Sequence, residues 1–242
     1  RVESIHLLLL YVEKLKIKYI NIQMNVSVLI PTFNRKSFSK LISHNLITQT
    51  YPFIKEILIA DDGQDTERLE LDIPFTVLYY KVPRMLLGEK RNFLASKASG
   101  DFLAHMDTDD FYHRDFLSNS IFNLIKSGKK ISGSSDMLML DKATLKTYKQ
   151  RCINMHMVNE ATMVYTKEYT QKNRFSNSNT SEGLTFVDIK QLVETPIEDI
   201  MVCVHHDSNT VNKSRWVDPK YETNLNLHLY KQHIKILSNV SI

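Results

Sequence analysis

Three carboxylates crowd into four residues of this chain, at Asp107, Asp109 and Asp110. They follow residues 102–104, a short apolar run that predicts a β-strand. Carboxylates this close repel one another, and each favours full hydration, so a cation at this turn would lower their energy. Carboxylate oxygens are hard ligands, which favours Mg²⁺ or Mn²⁺. A solvated acidic turn is the alternative that this segment alone leaves open.

A second acidic pair, Asp61 and Asp62, also follows an apolar run, and Gly63 marks a turn after it. Strands that alternate with helices at this spacing predict βαβ crossovers and a mainly parallel sheet. Ligands of such sheets bind beyond the carboxyl ends of the strands, where both acidic clusters fall. This placement favours a site for a metal ion and a nucleotide. Hydrophobic patterning predicts these strands at residues 26–30, 54–60, 75–82 and 102–106, and helices at 36–47, 88–98 and 114–126.

The second half of the chain is less regular. Gly100 and Gly128 are C-cap candidates for the helices that precede them. The predicted fold class is α/β: a Rossmann-like, mainly parallel central sheet flanked by helices, with a small antiparallel element in the C-terminal half. The later elements are predicted as a hairpin over residues 137–148, a strand at 161–165, a short helix at 167–172, helical structure over 182–192, a strand at 200–205 and a terminal helix over 226–237.

The composition bounds the size of the fold and excludes several classes of protein. At 242 residues and 43% hydrophobic content, the chain buries one sizeable core or two small ones. The net charge of +4 is weak, and no basic run is interleaved with aromatic residues, which argues against a nucleic-acid partner. The apolar run at residues 7–12 is too short for a transmembrane segment. We expect a cytoplasmic protein, of a bacterium or of a virus-infected host cell.

Residues 1–24 predict a helical extension that precedes the main domain. Five of its apolar side chains share one broad face: Ile5, Leu8, Leu9, Val12 and Leu15. We expect this helix to pack on the main domain, on a neighbouring domain or on a second copy of the chain. The chain starts with Arg1 rather than Met, which indicates a segment of a longer protein.

Four motifs in order resemble those of family 2 glycosyltransferases with the GT-A fold. Residues 26–35 (VSVLIPTFNR) are similar to the family's opening strand and loop. Residues 57–63 (ILIADDG), with Asp65 following, resemble its DDGS-x-D motif. Residues 88–92 (GEKRN) resemble its A-R-N helix start, and residues 98–110 resemble the pattern that leads into its metal motif. A D-x-D sequence alone is common by chance, so the resemblance depends on the order of all four motifs.

The resemblance implies roles for residues of a donor site. Asp62 would contact the base of the nucleotide, and Pro31 would line the same pocket. Arg91 would lie near the base or the diphosphate, and Asp107 beside the ribose. A turn-capping carboxylate at Asp61 and a plain surface charge at Arg91 are the alternatives. The implied donor-binding set is Pro31, Asp61, Asp62, Arg91, Asp107 and Asp109.

The resemblance also implies metal ligands. Asp109 and Asp110 would hold Mn²⁺ or Mg²⁺, with Asp110 favoured as the direct ligand. Residues 205–210 (HHDSNT) resemble an H-x-x-N-T element whose histidine completes the metal shell, and His206 has the matching offset. Imidazole is a reasonable ligand for Mn²⁺ beside carboxylates. A purely structural role for both histidines stays open.

The candidate for the catalytic base follows from a fifth, weaker resemblance. Residues 181–186 (SEGLTF) resemble the family's E-D-x-x-(F/L) element, whose carboxylate serves as the base. Gly183 stands where the Asp is usual, which leaves Glu182 as the candidate base.

Together these resemblances imply a metal-dependent, inverting glycosyltransferase. It would move a sugar from a nucleotide-sugar, in the first instance a UDP-sugar, to a hydroxyl of a glycan, lipid or protein. Residues 25–130 would form the nucleotide-sugar-binding half of a single GT-A domain, and residues 131–242 its acceptor-binding half and tail. Three rivals are a sugar hydrolase, a nucleotidyltransferase, and a catalytically inactive nucleotide-sugar-binding or glycan-binding domain of a larger protein. The departure at Gly183 keeps the last of these open.

Overall fold

A computed structural model gives the fold of residues 24–152, 157–209 and 213–240. The helix predicted over residues 1–24 lies outside these ranges except for Met24, so it stays a prediction. In chain order the strands and α-helices of these ranges are β1 (Val26–Thr32), α1 (Ser39–Ile47), β2 (Ile54–Asp61), β3 (Val77–Lys81), α2 (Leu87–Lys97), β4 (Phe102–His105), β5 (Phe111–Tyr112), α3 (Phe116–Ser127), β6 (Ile131–Gly133), β7 (Asp136–Asp141), β8 (Thr147–Arg151), β9 (Val164–Thr166), β10 (Leu192–Glu194), β11 (Met201–His205), β12 (Glu222–Thr223) and α4 (Lys231–Leu237). None of these helices is both long and apolar enough to cross a bilayer.

Seven of these strands form one mixed sheet, in the order β10-β6-β9-β4-β1-β2-β3. β1 pairs in parallel with β2 on one side and with β4 on the other, and β2 pairs in parallel with β3. β9 runs antiparallel to both β4 and β6. Because the chain builds outward from β1 and then returns to the opposite side of it, the strand order reverses between β1 and β4. Ligands of open α/β sheets bind at such a reversal.

Both faces of this sheet are covered, which explains the continuous apolar character of its central strands. All seven residues of β1 are buried. Val28 and Ile30 belong to a core that includes side chains of α1 and α3. Leu29 and Leu58 belong to a second core on the other face, together with Leu94 of α2. The alternation along β1 therefore places helices on both sides of the sheet, as the predicted fold class requires.

The other strands of the three ranges form a smaller sheet, in the order β12-β8-β7-β11-β5. β7 and β8 make the predicted antiparallel hairpin, with Asp136 opposite Arg151. β11 pairs in parallel with β7 and antiparallel with β5, which directly follows the acidic turn. The second half of the chain also supplies β6, β9 and β10 to the main sheet. The division into donor and acceptor halves at residue 130 stays a prediction.

The helical structure predicted over residues 182–192 is present only in two short pieces and not as a continuous helix. The segment forms two 3-10 turns, Glu182–Thr185 and Ile189–Gln191, followed by β10. The Asp188 side chain accepts a hydrogen bond from the Lys190 amide and starts the second turn. An aspartate that caps a new turn interrupts a helix, although the apolar spacing continues past it.

The prediction of a C-cap is right for Gly128 and wrong for Gly100. Gly128 ends α3 in the left-handed region, with φ 68°. At the end of α2, Ala98 is already extended, so no left-handed cap is needed. Gly100 instead lies against β1: a Cβ added there would be 2.7 Å from the Ser27 nitrogen. The Gly100 amide donates to the Ser27 hydroxyl at 2.8 Å.

Asn45 of α1 connects three separate parts of the chain. Its amide nitrogen donates to the Asp110 carbonyl at 2.9 Å, and its amide oxygen accepts from the Tyr112 amide at 3.0 Å. The same oxygen lies 3.0 Å from Nε2 of His233 in α4. Burial, with the neighbouring His44 and His113, lowers the pKa of His233 to about 3, so the ring is neutral. The acidic turn is thus fixed to both α1 and the terminal helix.

We predict that Gly100→Ala lowers the free energy of unfolding by about 1–3 kcal/mol, because the new methyl group collides with the β1 backbone. Urea denaturation monitored by circular dichroism measures this change. Ser96→Ala, on the exposed side of α2, is the control and should stay within about 0.5 kcal/mol of the parent. Equal stability of the two variants would contradict the close contact between Gly100 and β1.

Candidate active site

The loops after β1 and β4 form the walls of a cleft at the reversal of strand order. Pro31 and Arg35 line it from the β1 side, and Asp107 and Asp109 line it from the β4 side. The other lining residues are Thr32, Phe33, Arg84, Met85, Leu87, Lys90, Thr108, Asn179, Asn209 and Lys213. Cationic side chains therefore outnumber carboxylates in the lining, and a cleft of this kind attracts anions.

The start of α2 packs directly against the loop that precedes Glu182. A Cβ added at Gly88 would lie 1.8 Å from the Ser176 carbonyl oxygen, so glycine alone fits there. Asn92 donates its amide to the Phe175 carbonyl at 2.8 Å and accepts from the Phe175 amide at 3.0 Å. The residues of the A-R-N resemblance thus join the two halves of the chain.

Arg91 lies between these halves and is almost fully buried, with 2% of its surface exposed. Its Nε donates to Oε1 of Glu182 at 2.9 Å. Its Nη2 lies 3.5 Å from Oδ1 of Asp107, on the cleft wall. The alternative that Arg91 is a plain surface charge is therefore wrong. A buried guanidinium needs such partners, because an unpaired buried charge is costly.

Asp107 and Asp109 face the cleft in different environments. The Asp107 side chain is 32% exposed, and its backbone amide donates to the Tyr112 hydroxyl at 2.8 Å. Asp109 lies deeper, with Oδ2 3.2 Å from Nε2 of His206 and 3.4 Å from Arg35. Burial acts to raise the pKa of Asp109, but the His206 hydrogen bond and nearby cations outweigh it, so the pKa lies below its usual range.

Asp110 is turned away from the cleft. Its Oδ1 accepts from the Val204 amide of β11 at 2.8 Å and lies 3.4 Å from Nζ of Lys213. Burial and the two neighbouring carboxylates raise the pKa of Asp110 to about 7, against the opposing charge of Lys213. The carboxylate that the resemblance favours as the direct metal ligand is thus engaged with the backbone of a neighbouring strand.

His206 lies beside Asp109, as its predicted role requires. Its Nδ1 is 3.0 Å from the Ser208 hydroxyl, and its Nε2 is 2.9 Å from the Asn209 amide nitrogen. The Phe38 ring packs against it, with the ring centroids 5.2 Å apart. The neighbouring groups fix the direction of the imidazole, which points Nε2 toward Asp109.

Asp62 lies behind the cleft wall. Its Oδ1 accepts from Nζ of Lys90 at 2.5 Å and its Oδ2 from the Met85 amide at 3.1 Å. Arg84 approaches the same Oδ1 at 3.4 Å. Lys90 also donates to the Thr32 carbonyl at 2.9 Å. Asp62 therefore positions two cationic side chains of the cleft, and its contact with a nucleotide base stays a prediction.

Asp61 caps a turn, as its alternative role states. Its Oδ1 accepts from the Gly63 amide at 2.8 Å, and its Oδ2 accepts from the Tyr79 hydroxyl at 2.5 Å. A side chain at Gly63 would lie 2.5 Å from the Asn34 amide oxygen. The Tyr79 bond ties this turn to β3, and the Gln64 amide, which donates to the Asn34 side-chain oxygen at 2.7 Å, holds the turn against the loop after β1. A direct donor contact by Asp61 stays a prediction.

Glu182 pairs with Arg91 and is not among the residues that line the cleft. Its side chain is 3% exposed, and the Arg91 guanidinium engages its Oε1. Ser181 before it has φ 54°, which turns the chain back toward α2. The role of Glu182 as the catalytic base stays a prediction, and the structure shows the carboxylate as the partner of a buried cation.

Sequence reasoning missed several residues of the cleft. Arg35 and Lys90 lie inside the motifs that carry the resemblance, so their position could have been found from the motifs. Arg84 and Lys213 lie in segments without a recognisable pattern, and their approach depends on loop geometry. Within the ranges that the structure describes, no group of three or more His, Cys, Asp or Glu side chains is arranged to hold a metal ion.

The segment that contains the four motifs matches the sequence model of a known protein family. Residues 27–179 match the sequence model of Glycosyl transferase family 2. The chain belongs to this family. Family 2 membership accounts for the order of the four motifs and weakens the sugar-hydrolase and nucleotidyltransferase alternatives. Glycosyltransferase GlyA of Streptococcus pneumoniae is 27% identical over 97 residues. That match spans 38% of this chain and 14% of GlyA, so the chain spans only a small part of this relative.

Two solved structures show the same GT-A fold. Staphylococcus aureus TarS in complex with UDP-GlcNAc superposes with a TM-score of 0.58 at 12% identity, covering 90% of this chain and 68% of the TarS chain. The mannosyltransferase PcManGT from Pyrobaculum calidifontis, in complex with GDP-Man and Mn²⁺, gives a TM-score of 0.54 at 13% identity. It covers 79% of this chain and 59% of the other. The predicted fold class is confirmed.

We predict that Glu182→Ala lowers the free energy of unfolding by about 3–5 kcal/mol, because it removes the closest partner of a buried guanidinium. Chemical denaturation measures the loss. Glu168→Ala is the matched control, since Glu168 pairs with Lys130 at an exposed site, and it should cost less than about 1 kcal/mol. A small effect of Glu182→Ala would show that Arg91 does not depend on this ion pair.

Proposed function

We propose that the protein transfers a sugar from a nucleoside diphosphate sugar, in the first instance a UDP-sugar, to a hydroxyl acceptor. The observation that carries this proposal is the cleft at the reversal of strand order. There Asp107 and Asp109 lie among four cationic side chains of the lining. The negative charge of a diphosphate would be neutralised by the cations, and sugar hydroxyls would donate hydrogen bonds to the carboxylates. The UDP-GlcNAc and GDP-Man complexes of two proteins with this fold support the choice of donor class.

The mouth of the cleft offers a planar surface for the base. The Arg84 guanidinium stacks on the Phe33 ring, 3.8 Å from its centroid, and Phe33 is 37% exposed. Nucleobases stack on aromatic rings and on guanidinium planes without a demand for particular edge contacts. We place the base beside Phe33 and Pro31, and the ribose beside Asp107. The diphosphate then lies toward Arg35 and Lys213.

The residues at the bottom of the cleft fit a divalent cation. Mg²⁺ sites use one or two carboxylates together with substrate phosphates, and imidazole suits Mn²⁺. Asp109 and His206, whose nearest ligand atoms are 3.2 Å apart, supply such a set. We assign Asp109 as the direct ligand in place of Asp110, whose Oδ1 accepts the Val204 amide. A cation held there would stabilise negative charge on the departing diphosphate.

The chain's own residues hold the donor and organise the attack. Arg35 and Lys213 neutralise charge near the diphosphate, and Lys90 fixes the cleft wall through Asp62. Arg91 holds Asp107 in place by the ion pair with its carboxylate. The incoming hydroxyl is a poor nucleophile and needs a base to take its proton. Direct in-line attack with one base inverts the anomeric configuration.

The second candidate is a catalytically inactive nucleotide-sugar-binding or glycan-binding domain of a larger protein. The observation that favours it is Gly183, which provides no carboxylate where the family's base is usual. Release of UDP from a UDP-sugar distinguishes the two functions, since a binding domain retains the donor intact. The identity of the acceptor, on a glycan, a lipid or a protein, stays a prediction, as does the cytoplasmic location.

We predict that UDP raises the melting temperature of the protein in a manner that depends on Mn²⁺. A ligand at 100 times its dissociation constant stabilises the folded state by about 2.7 kcal/mol. Asp109→Asn should weaken the Mn²⁺-dependent binding of UDP at least about tenfold, a loss of about 1.4 kcal/mol. Thermal shift and titration calorimetry measure both quantities.

The control for this experiment is Asp72→Asn, on an exposed loop away from the cleft, which should bind UDP like the parent. Asp110→Asn is informative beside it, because it removes the negative charge beside Lys213, while its amide oxygen can still accept the Val204 amide and no residue of the cleft lining is changed. Its expected effect falls on stability more than on UDP binding. Failure of UDP and GDP alike to bind, with and without Mn²⁺, would contradict the proposed donor site.

A further inference from the structure

Gly183 is not simply an empty position, because the Glu160 side chain occupies the space beside it. A Cβ added at Gly183 would lie 2.9 Å from both Cγ and Oε1 of Glu160, and 3.1 Å from the Met163 methyl group. Glu160 Oε1 also accepts the Gly183 amide at 3.0 Å. The carboxyl group of Glu160 is therefore held where a side chain of residue 183 would begin.

Glu160 belongs to a separate segment, the 3-10 turn Glu160–Thr162 before β9. Asn159 fixes the start of this turn, because its side chain accepts from the Ala161 amide at 3.1 Å. The Ala161 carbonyl in turn accepts from the Tyr112 hydroxyl, which also accepts the Asp107 amide. The turn that carries Glu160 is thus bonded, through one tyrosine, to the residue on the cleft wall.

The charges that face Glu160 favour a proton acceptor rather than a permanent anion. Burial, with the neighbouring Glu182 carboxylate, raises the pKa of Glu160 to about 7, although the Arg91 guanidinium opposes this rise. A base is most effective when its pKa lies near the working pH. Glu182 differs, because its Oε1 receives the Arg91 Nε at 2.9 Å and its side chain is 3% exposed.

We propose that Glu160 is the catalytic base of this protein and replaces the carboxylate that the family places at position 183. The inference rests on the proposed glycosyltransferase function and deepens it. Glu182 is then a positioning residue: it holds Arg91, and Arg91 holds Asp107. The sequence could not reveal this exchange, because Glu160 lies 23 residues before Gly183 and outside every recognised motif.

The step conserves atoms and charge. The Glu160 carboxylate takes the proton of the acceptor hydroxyl while the hydroxyl oxygen bonds to the anomeric carbon of the sugar. The bond between that carbon and the diphosphate oxygen breaks, and its electron pair leaves with the nucleoside diphosphate. Water can replace the acceptor in the same step, which gives free sugar and nucleoside diphosphate.

The experiment measures UDP release from UDP-GlcNAc in water, with Mn²⁺, alongside UDP binding by calorimetry. Glu160→Gln keeps an acceptor for the Gly183 amide but cannot take a proton. We expect kcat to fall by about 10²- to 10⁴-fold with the UDP dissociation constant unchanged. The parent's kcat should rise with pH through about 7, as Glu160 loses its proton. Glu168→Gln, at the exposed pair with Lys130, is the control and should retain both quantities.

A position exchange tests the same idea directly. Glu160→Ala removes the atoms that crowd residue 183, and Gly183→Asp then restores a carboxylate at the family's position. We expect the single Glu160→Ala variant to lose turnover. The kcat of the double variant should be at least about tenfold higher than that of the single variant. Its pH profile should shift to lower pH, because an aspartate less enclosed than Glu160 ionises earlier.

Stability provides a measurement that needs no donor. A carboxyl group whose pKa is raised by folding stabilises the protein below its unfolded pKa and loses that contribution as the pH rises through the folded value. The melting temperature of Glu160→Gln, relative to the parent, should therefore increase between pH 4.5 and pH 7. A difference that does not change with pH would overturn the assignment.

The outcomes separate the two proposals. No binding of UDP by the parent, with or without Mn²⁺, overturns the proposed function and the base assignment with it. Binding without any UDP-GlcNAc turnover at any pH leaves the donor site intact and overturns the base. Loss of turnover together with loss of UDP binding in Glu160→Gln shows a structural role and overturns it too. Loss of turnover alone supports Glu160.

Discussion

The buried guanidinium of Arg91 is the charge on which this site depends. Its removal from water is costly, and two carboxylates from distant parts of the chain offset that cost. Asp107 belongs to the turn after β4, and Glu182 to the loop that packs on α2. Asp107 lies outside any helix or strand, and Glu182 only starts a short 3-10 turn, so the shared cation fixes the separation of the two loops. The ion pairs of Arg91 therefore link Asp107 on the cleft wall to the loop that carries Glu182.

The same ion pairs explain how a family 2 domain can tolerate a glycine at position 183. Where the loop is held by Glu182 and by the fit of Gly88 under Ser176, its path does not depend on the side chain of the next residue. The space beside residue 183 is then open to a group from another element. Here the turn before β9 supplies Glu160. In such a site, the path of the loop and the element that supplies the carboxylate beside residue 183 do not depend on each other.

The fold could be predicted to a large extent because its signals are local. The apolar runs of β1, β2 and β4, their spacing, and the motifs at their ends are all visible in short segments. The roles of individual carboxylates could not be predicted in the same way. Asp61, Asp62 and Asp110 resemble ligands by sequence, but each is bound by a partner far away along the chain. Tyr79 binds Asp61 from 18 residues away, and Lys90 binds Asp62 from 28 residues away. The Val204 amide binds Asp110 from 94 residues away. Such partners are known only once the chain is folded.

The contacts of Asn45 connect the acidic turn to helix α4. A single amide group holds the backbone of the acidic turn on one side and the ring of His233 on the other. Helix α4 thus supports the acidic turn through Asn45, although it contributes no side chain to the cleft lining. Loss of α4 would remove both the His233 contact with Asn45 and its ring contact with Phe111, the residue that follows the acidic turn.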